Sequence, residues 1–214
     1  MKNPRLFSIL TLFLLSCSLL SCSTNEYGKM TDPEGNEYKT IKIGEMEWMA
    51  ENLKVTQFID GSPIQRANTK EEWVINCKNG IPCYCYPDFK KELGEKYGYL
   101  YNIPVISKGR ENLCPNWGIP YIADWDYLMQ QAGGIDDAFN KLIGENSSTG
   151  FDGLLGGTIT KGGFAGHSLE NYTSFWTSGT DAYCFILEER KIVFVNALTV
   201  AICDGMFIRL VKME

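Results

Sequence analysis

The side chains with the greatest chemical potential in this 214-residue sequence are eight cysteines and one histidine, His167. A single histidine excludes a zinc site that is built from several imidazoles. The spacing of Cys77, Cys83 and Cys85 matches no standard zinc motif, so we expect neither a metal nor another cofactor there. A cysteine–histidine nucleophile would need His167 beside a thiol. Its glycine-rich surroundings are instead typical of a surface loop, and we expect no catalysis from it.

Two acidic pairs could support glycoside hydrolysis, a reaction that needs two carboxyl groups flanking one bond. The pairs are Asp124 with Asp126 and Asp136 with Asp137. Both fall near predicted helix starts, where acidic side chains interact favourably with the positive end of the helix dipole. We therefore interpret these residues as structural and expect that the protein is not an enzyme.

The start of the chain resembles the signal peptide of a bacterial lipoprotein. Two basic residues precede an apolar run over residues 6–15, which is too short to span a bilayer of about 30 Å. Leu19-Leu20-Ser21-Cys22 has the form of the lipobox, in which the chain is cleaved before the cysteine and the cysteine is acylated. Leu14-Leu15-Ser16-Cys17 has the same form, but residues 18–20 still belong to the apolar run, whereas residues 23–26 are all polar. We therefore predict a signal peptide over residues 1–21 and a lipid on Cys22.

Cleavage at this position would leave a lipidated tether over residues 22–31 and a folded domain over residues 32–214. Loss of the two basic residues of the signal peptide would change the net charge from −6 to −8. Such a surface is not drawn to anionic headgroups, so the lipid itself must provide the anchor. It also lacks the basic face that nucleic-acid binding requires. We expect a lipid-anchored protein of the bacterial outer membrane, facing the periplasm or the cell surface.

Export would place the six remaining cysteines in a space that permits disulfides. Six cysteines allow 15 connectivities, and the sequence does not choose among them. Cys77 and Cys83 could close a short loop, and Cys184 and Cys203 lie near the ends of consecutive strand-like segments, where a cross-strand bridge is plausible. Free buried thiols remain the alternative for each of them.

Hydrophobic periodicity predicts one α+β domain. Residues 38–43 and 46–49 alternate between polar and apolar side chains and predict a hairpin. Thr69 is a suitable N-cap for a short helix, with Glu72 at the capping-box position. The other predicted elements are helices over residues 122–131 and 136–143 and antiparallel strands over residues 174–177, 182–187, 192–198 and 207–211.

Several short strings of the sequence, and the order in which they occur, resemble the Fibrobacter succinogenes major paralogous domain, or FISUMP. The most specific is Trp48-Met49-Ala50-Glu51-Asn52-Leu53, which follows the strand over residues 38–43 as it does in that family. The resemblance extends from about residue 32 to the end of the chain. Further matching strings are Tyr84-Cys85-Tyr86, Tyr97-Gly98-Tyr99-Leu100-Tyr101-Asn102, Cys114-Pro115, Trp117, Pro120, Trp125, Leu128, Gly163-Phe164, Phe175-Trp176-Thr177-Ser178 and Ile208-Arg209-Leu210-Val211-Lys212.

The resemblance implies a fold and also has departures. More distantly, the order of motifs is similar to the formylglycine-generating-enzyme version of the C-type lectin-like fold. That similarity implies a single domain with a twisted antiparallel sheet, two short helices and long loops. Tyr121 replaces the family's threonine cap, and Leu210 replaces a terminal cysteine. If that cysteine pairs with the equivalent of Cys114 in the family, Cys203 is the substitute partner here.

The fold-level similarity does not carry an activity with it. Formylglycine-generating enzymes place reactive cysteines close together near the C-terminal core, where this chain has only Cys203. The calcium and sugar motifs of C-type lectins are also missing from the sequence. Glu51 and Asn52 could form a site, but we expect them to tie loops together, which is the commoner role of buried polar residues. Among the aromatic residues, we predict that Trp48, Trp117, Trp125 and Trp176 lie in the core, whereas Trp73, Tyr84 and Tyr86 are exposed candidates for ligand binding.

These observations lead to three functional hypotheses. The first is a non-catalytic, lipid-anchored envelope protein that acts as a binding or structural module. The second is a carbohydrate-binding or adhesion module of a fimbrial or polysaccharide-handling system. The third is an enzyme with an unrecognised site. The expected partners are the bacterial membrane, through the lipid, and a glycan or another envelope protein.

Overall fold

The computed structural model describes residues 25–160, 163–164 and 169–214 and has the α+β composition that the sequence predicts. The signal peptide, Cys17, Cys22 and His167 lie outside the described residues. The strands are β1 Gly28–Thr31, β2 Glu37–Ile43, β3 Met46–Met49, β4 Gln65–Arg66, β5 Cys83–Cys85, β6 Leu100–Asn102, β7 Trp117–Gly118, β8 Ile159–Thr160, β9 Gly163–Phe164, β10 Tyr172–Trp176, β11 Ala182–Ile186, β12 Lys191–Val195, β13 Gly205–Met206 and β14 Val211–Lys212. The helices are α1 Lys70–Lys78, α2 Lys91–Tyr97, α3 Ile103–Ser107, α4 Ile122–Gln131 and α5 Ile135–Leu142.

The strands form three sheets. One has the order β1-β2-β3-β14-β7, the second β10-β11-β12, and the third β4-β5-β6-β13-β8-β9. The pairs are antiparallel except β4 with β5, which is parallel. The hairpin of β2 and β3 is confirmed, with Ile41 opposite Trp48. Because β14 inserts between β3 and β7, this C-terminal strand is held against the N-terminal hairpin of β2 and β3.

The N-terminal part of the described chain is already structured. Residues Gly28–Thr31, which fall within the predicted tether, pair with β2 as strand β1. The structured region therefore starts before residue 32. In the described part of the chain, no helix is both long enough and apolar enough to cross a membrane.

At the start of helices α1 and α4, side chains accept hydrogen bonds from backbone N–H groups. In α1, Oγ1 of Thr69 accepts the N–H of Glu72 at 3.2 Å, as predicted. The Glu72 carboxylate accepts the N–H of Asn68, one residue before the expected position. In α4, the Asp124 carboxylate accepts the N–H of Tyr121 at 2.8 Å. Asp124 therefore satisfies the backbone N–H of the N-cap residue, while the Tyr121 side chain makes no capping hydrogen bond.

Aromatic rings fill the centre of the molecule. The ring centroids of Trp48 and Trp125 lie 5.2 Å apart, and Trp125 lies 5.9 Å from Phe151 and 5.4 Å from Phe175. Such offset and edge-on pairs stabilise a core beyond the burial of their area. The prediction of core tryptophans is confirmed for all four, which are Trp48, Trp117, Trp125 and Trp176.

The sequence prediction differs from the structure in the number of helices and in the last strand. Two further short helices, α2 and α3, join the three predicted helices α1, α4 and α5, making five α-helices in the described residues. They have no long apolar period, and packing rather than propensity stabilises helices of this length. The predicted strand over residues 207–211 is not continuous, because a non-strand segment separates β13 from β14. Arg209 lies in that segment, buried.

Candidate functional site

No disulfide joins Cys184 to Cys203 in the described chain, where all six cysteines are free buried thiols, the alternative that the sequence left open. Cys184 lies within β11, where its Sγ is 3.3 Å from Oγ of Ser174. Cys203 lies before β13 and contacts Cys77 instead. Cys77 and Cys83 are adjacent, as expected, and hydrogen bonded, but they too are unpaired thiols.

Cys114 does not take Cys203 as its partner. Its Sγ lies 4.0 Å from the carbonyl oxygen of Thr31, and its pKa is raised to about 11 because burial penalises the thiolate. Cys114 belongs to a different apolar cluster from Cys203. Cys114 is therefore a free buried thiol.

Trp73 is not an exposed ligand-binding residue. Its side chain is 0% exposed, and its indole N–H donates to the carbonyl oxygen of Cys203 at 2.9 Å. A Cβ on Gly205 would lie 2.5 Å from the Trp73 ring, so the backbone of β13 approaches the indole closely. The residue is on the inward face of α1, with Cys77 four positions later, and it holds that helix on the third sheet.

Tyr84 and Tyr86 meet a third tyrosine that the sequence analysis did not select. Tyr84 is stacked on Tyr99 at 4.8 Å between ring centroids, and Tyr86 lies edge-on to Tyr99 at 5.2 Å. We call these three residues the tyrosine surface. The expectation that Tyr84 is exposed is wrong, since only 7% of it is accessible, whereas Tyr86 and Tyr99 are half-buried.

The tyrosine surface is bordered by a cation. The guanidinium of Arg66, on exposed strand β4, lies 5.7 Å from the Tyr86 ring, and its Nη1 is 3.4 Å from the Tyr86 hydroxyl. Burial and the neighbouring phenols raise the pKa of Tyr99 to about 12. The Tyr99 hydroxyl therefore stays protonated at neutral pH and can both donate and accept a hydrogen bond.

A cavity of about 240 Å³ lies beside Arg209, at the junction of segments that are far apart in sequence. The Arg209 guanidinium donates through Nε to Oδ1 of Asn52 at 2.7 Å and through Nη2 to the carbonyl of Asp152 at 2.9 Å. Its Nη1 donates to the carbonyl of Phe151, whose ring lies 4.2 Å from Cζ. The cavity is lined by Lys39, Ala50, Glu51, Asn52, Lys54, Lys96, Tyr97, Gly98, Glu145, Asn146, Asp152, Leu154 and Arg209.

The charge of Arg209 is held without a direct carboxylate partner among the described residues. Burial lowers its pKa to about 9, while the nearby Asp152 and Glu51 carboxylates oppose that shift. The guanidinium is therefore charged at neutral pH and faces neutral acceptors. Around it, the cavity combines ammonium donors with carboxylate and amide acceptors, so it can bind a small polar molecule by several hydrogen bonds.

Two of the strings on which the family resemblance rests meet at this cavity. Asn52 comes from the Trp-Met-Ala-Glu-Asn-Leu string, and Arg209 comes from the closing string. The expected loop-tying role of Asn52 is confirmed, because its Nδ2 also donates to the carbonyl of Tyr97. Arg209 was not predicted as a site residue, although a lone arginine between two apolar residues on either side was a usable signal in the sequence.

The described residues contain no group of three or more histidine, cysteine, aspartate or glutamate side chains arranged to hold a metal ion. Three of the four residues in the two acidic pairs have structural partners. Asp124 caps α4 and lies 3.5 Å from Nη1 of Arg110, and Asp126 accepts the Tyr183 hydroxyl at 2.6 Å. Asp137 lies 3.7 Å from Nζ of Lys141, one turn further along α5.

When the sequence is compared with models of known protein families, one family model matches it. The model described as the Fibrobacter succinogenes major domain matches residues 41–212, most of the chain. Among curated proteins and among solved structures, none matches the chain significantly.

Proposed function

Because the chain belongs to the Fibrobacter succinogenes major domain family, we propose that it is a non-catalytic binding module held on a bacterial outer membrane by a lipid at Cys22. The lipobox-like string before Cys22 supports the anchor. The structural roles of Asp124 and Asp126 support a module without acid–base chemistry at those positions. As the finer fold class we propose the C-type lectin-like arrangement, supported by the order of the sequence motifs.

The observation that carries the binding role is the cavity beside Arg209. Its volume of about 240 Å³ is below the roughly 300–1,000 Å³ of pockets for drug-sized ligands, so its ligand is small. Lysines 39, 54 and 96 supply donors, and Glu51 and Glu145 supply acceptors. Charges of both signs, arranged around one cavity, suit a polyhydroxylated ligand of about the size of one sugar residue.

Binding is tested with the mature lipidated protein in detergent, titrated calorimetrically with neutral, amino and acidic monosaccharides. Lys96→Gln and Glu145→Gln each remove one charged group from the exposed rim of the cavity and should weaken binding about tenfold, the equivalent of about 1.4 kcal/mol. Lys91→Gln is the matched control, since Lys91 lies on the same helix as Lys96 and outside the cavity. No binding by any of these sugars, or equal loss in the control, would contradict the proposal.

The anchor is tested separately by metabolic labelling with a palmitate analogue. Labelling should be lost in Cys22→Ala and kept in Cys17→Ala. Equal labelling of the wild type and Cys22→Ala would reject Cys22 as the acylated residue. The reverse result, loss only in Cys17→Ala, would move the cleavage site to the first lipobox-like string.

A second candidate function, adhesion to a glycan chain, is favoured by the tyrosine surface. Its hydroxyls and the Arg66 guanidinium present hydrogen-bonding groups near an exposed strand. On an oligosaccharide array, Tyr86→Ala should abolish binding if this surface is used, whereas Lys96→Gln should have no effect. Loss of array binding in Lys96→Gln alone would assign it to the cavity instead.

A further inference from the structure

Three thiols from separate parts of the chain meet beneath the third sheet. Cys77 lies in the last turn of α1, Cys83 begins β5, and Cys203 precedes β13. Cys77 is hydrogen bonded to both other thiols. The side-chain amide of Asn102 approaches Sγ of Cys83 at 3.0 Å and Sγ of Cys77 at 3.7 Å. We call these three cysteines the thiol cluster, with Cys77 at its centre.

The three thiols differ in acidity. Hydrogen bonds from Cys83 and Asn102 lower the pKa of Cys77 to about 7, although burial opposes this. The hydrogen bond to Cys77 and burial raise the pKa of Cys83, and burial raises that of Cys203 to about 11. Cys77 is therefore the member that carries a substantial thiolate fraction at neutral pH, and the thiolate is the form that attacks a disulfide.

The thiol cluster lies close to the protein surface, next to a groove and with one partly exposed member. Cys77 contributes to the wall of a groove of about 540 Å³ whose apolar side is formed by Ile103, Pro104 and Ile202. Cys203 is 7% exposed, whereas Cys77 and Cys83 are 0% exposed, so Cys203 is the member nearest to solvent. A small disulfide bound in this groove would therefore lie beside the thiol cluster.

We propose that the thiol cluster is an exchangeable disulfide site, in which Cys77 pairs with either Cys83 or Cys203 and the third cysteine stays reduced. Formation of the bond transfers two electrons from two cysteine thiols to a disulfide of the oxidant, and the oxidant leaves as two thiols. The exchange is redox-neutral, because the free cysteine attacks Sγ of Cys77 and expels the other cysteine as a thiolate.

The two pairings have different structural consequences. A Cys77–Cys83 bond closes a short loop between α1 and β5, which are already neighbours. A Cys77–Cys203 bond instead ties α1 to the segment over residues 196–204. That segment carries Leu198 and Ile202, which are 95% and 59% exposed. The choice of pairing therefore decides whether a covalent bond, in addition to the hydrogen bond from Trp73 to the Cys203 carbonyl, holds this segment to α1.

The proposal depends on the envelope location only for its natural oxidant, so the test supplies glutathione disulfide to the full chain. After oxidation, quenching by acid and peptide mapping without reduction, one disulfide that includes Cys77 and one free thiol are expected in the cluster. Cys83→Ser should yield only the Cys77–Cys203 bond and Cys203→Ser only the Cys77–Cys83 bond. Cys184→Ser is the matched control and should leave both bonds unchanged.

The exchange step is tested on the wild type alone, so it does not depend on the folding of any variant. The form with Cys77 bound to Cys83 is isolated, freed of oxidant and held at about pH 8, where the Cys77–Cys203 bond should appear with no change in total thiol. A Cys83–Cys203 bond as the main product, no disulfide in the folded chain, or no exchange in the isolated form would each overturn the proposal.

Discussion

The side chains of Asn52 and Arg209 are joined by a hydrogen bond of 2.7 Å between Oδ1 and Nε, across 157 residues of sequence. Asn52 also donates to the carbonyl of Tyr97, so one amide holds three segments together. The guanidinium is buried and charged, and Asn52 provides the side-chain acceptor that satisfies its Nε. The hydrogen bond therefore positions the cavity as well as stabilising the fold.

We expect Asn52→Ala to destabilise the protein by about 3 kcal/mol, because it leaves a buried guanidinium nitrogen and a carbonyl without their partner. Urea unfolding monitored by tryptophan fluorescence measures the change. Asn140→Ala is the control, since Asn140 is exposed and accepts only the surface Arg190 side chain in the structure. A cost for Asn52→Ala no larger than that of the control would show that Arg209 finds another acceptor.

Truncation of Trp73 should destabilise the protein rather than abolish binding. Trp73→Ala removes a fully buried indole and its hydrogen bond to the Cys203 carbonyl, at a cost of about 3–5 kcal/mol. Ile75→Ala on the same helix removes a side chain that is 56% exposed and should change stability by less than about 0.5 kcal/mol. Thermal unfolding of both variants distinguishes a core residue from a surface one.

Glu47 should contribute to the decline of stability in acid. Partial burial alone would raise its pKa, but hydrogen bonds from Lys212 and Thr40 lower it below the ordinary value of 4.5. Since the folded state holds the carboxylate more tightly in its charged form, this stability is present above about pH 4.5 and is lost as pH falls through the folded pKa. Glu47→Gln should therefore lower stability at neutral pH, by at most about 1 kcal/mol, and flatten the acid decline.

Urea midpoints measured from neutral pH to about pH 3 test this expectation. Glu45→Gln is the control, because the Glu45 carboxylate is highly exposed and lies 3.9 Å from Nζ of Lys42. An acid decline in Glu47→Gln as steep as in the wild type would show that Glu47 is not one of the groups responsible.

The Cys77 thiol should ionise near pH 7 in the reduced, folded protein. The difference in ultraviolet thiolate absorbance between the wild type and Cys77→Ser measures this ionisation, and the Cys114→Ser difference, centred near pH 11, is the comparison. Because the folded pKa of Cys77 is below its ordinary value of 9.0, the stability of the reduced protein should rise between about pH 7 and pH 9. A Cys77 ionisation midpoint at or above 9.0 would contradict the proposed hydrogen bonding within the thiol cluster.

The sequence by itself determined the local elements and the family. Alternation of polar and apolar residues identified the hairpin of β2 and β3, helical spacing identified α4, and the strings from Trp48 to Lys212 identified the domain. These features follow from residues within one element or from short motifs, and such local patterns can be read without knowing what packs against them.

Only the tertiary structure decided which of those residues lie together. Trp73 and Tyr84 are buried by sheets and loops that are far from them in sequence. The contact between Cys77 and Cys203 likewise joins positions 126 residues apart. The cavity likewise required Asn52 and Arg209 to approach from opposite ends of the domain. Such contacts depend on the packing free energy of the whole chain, and no local period encodes them.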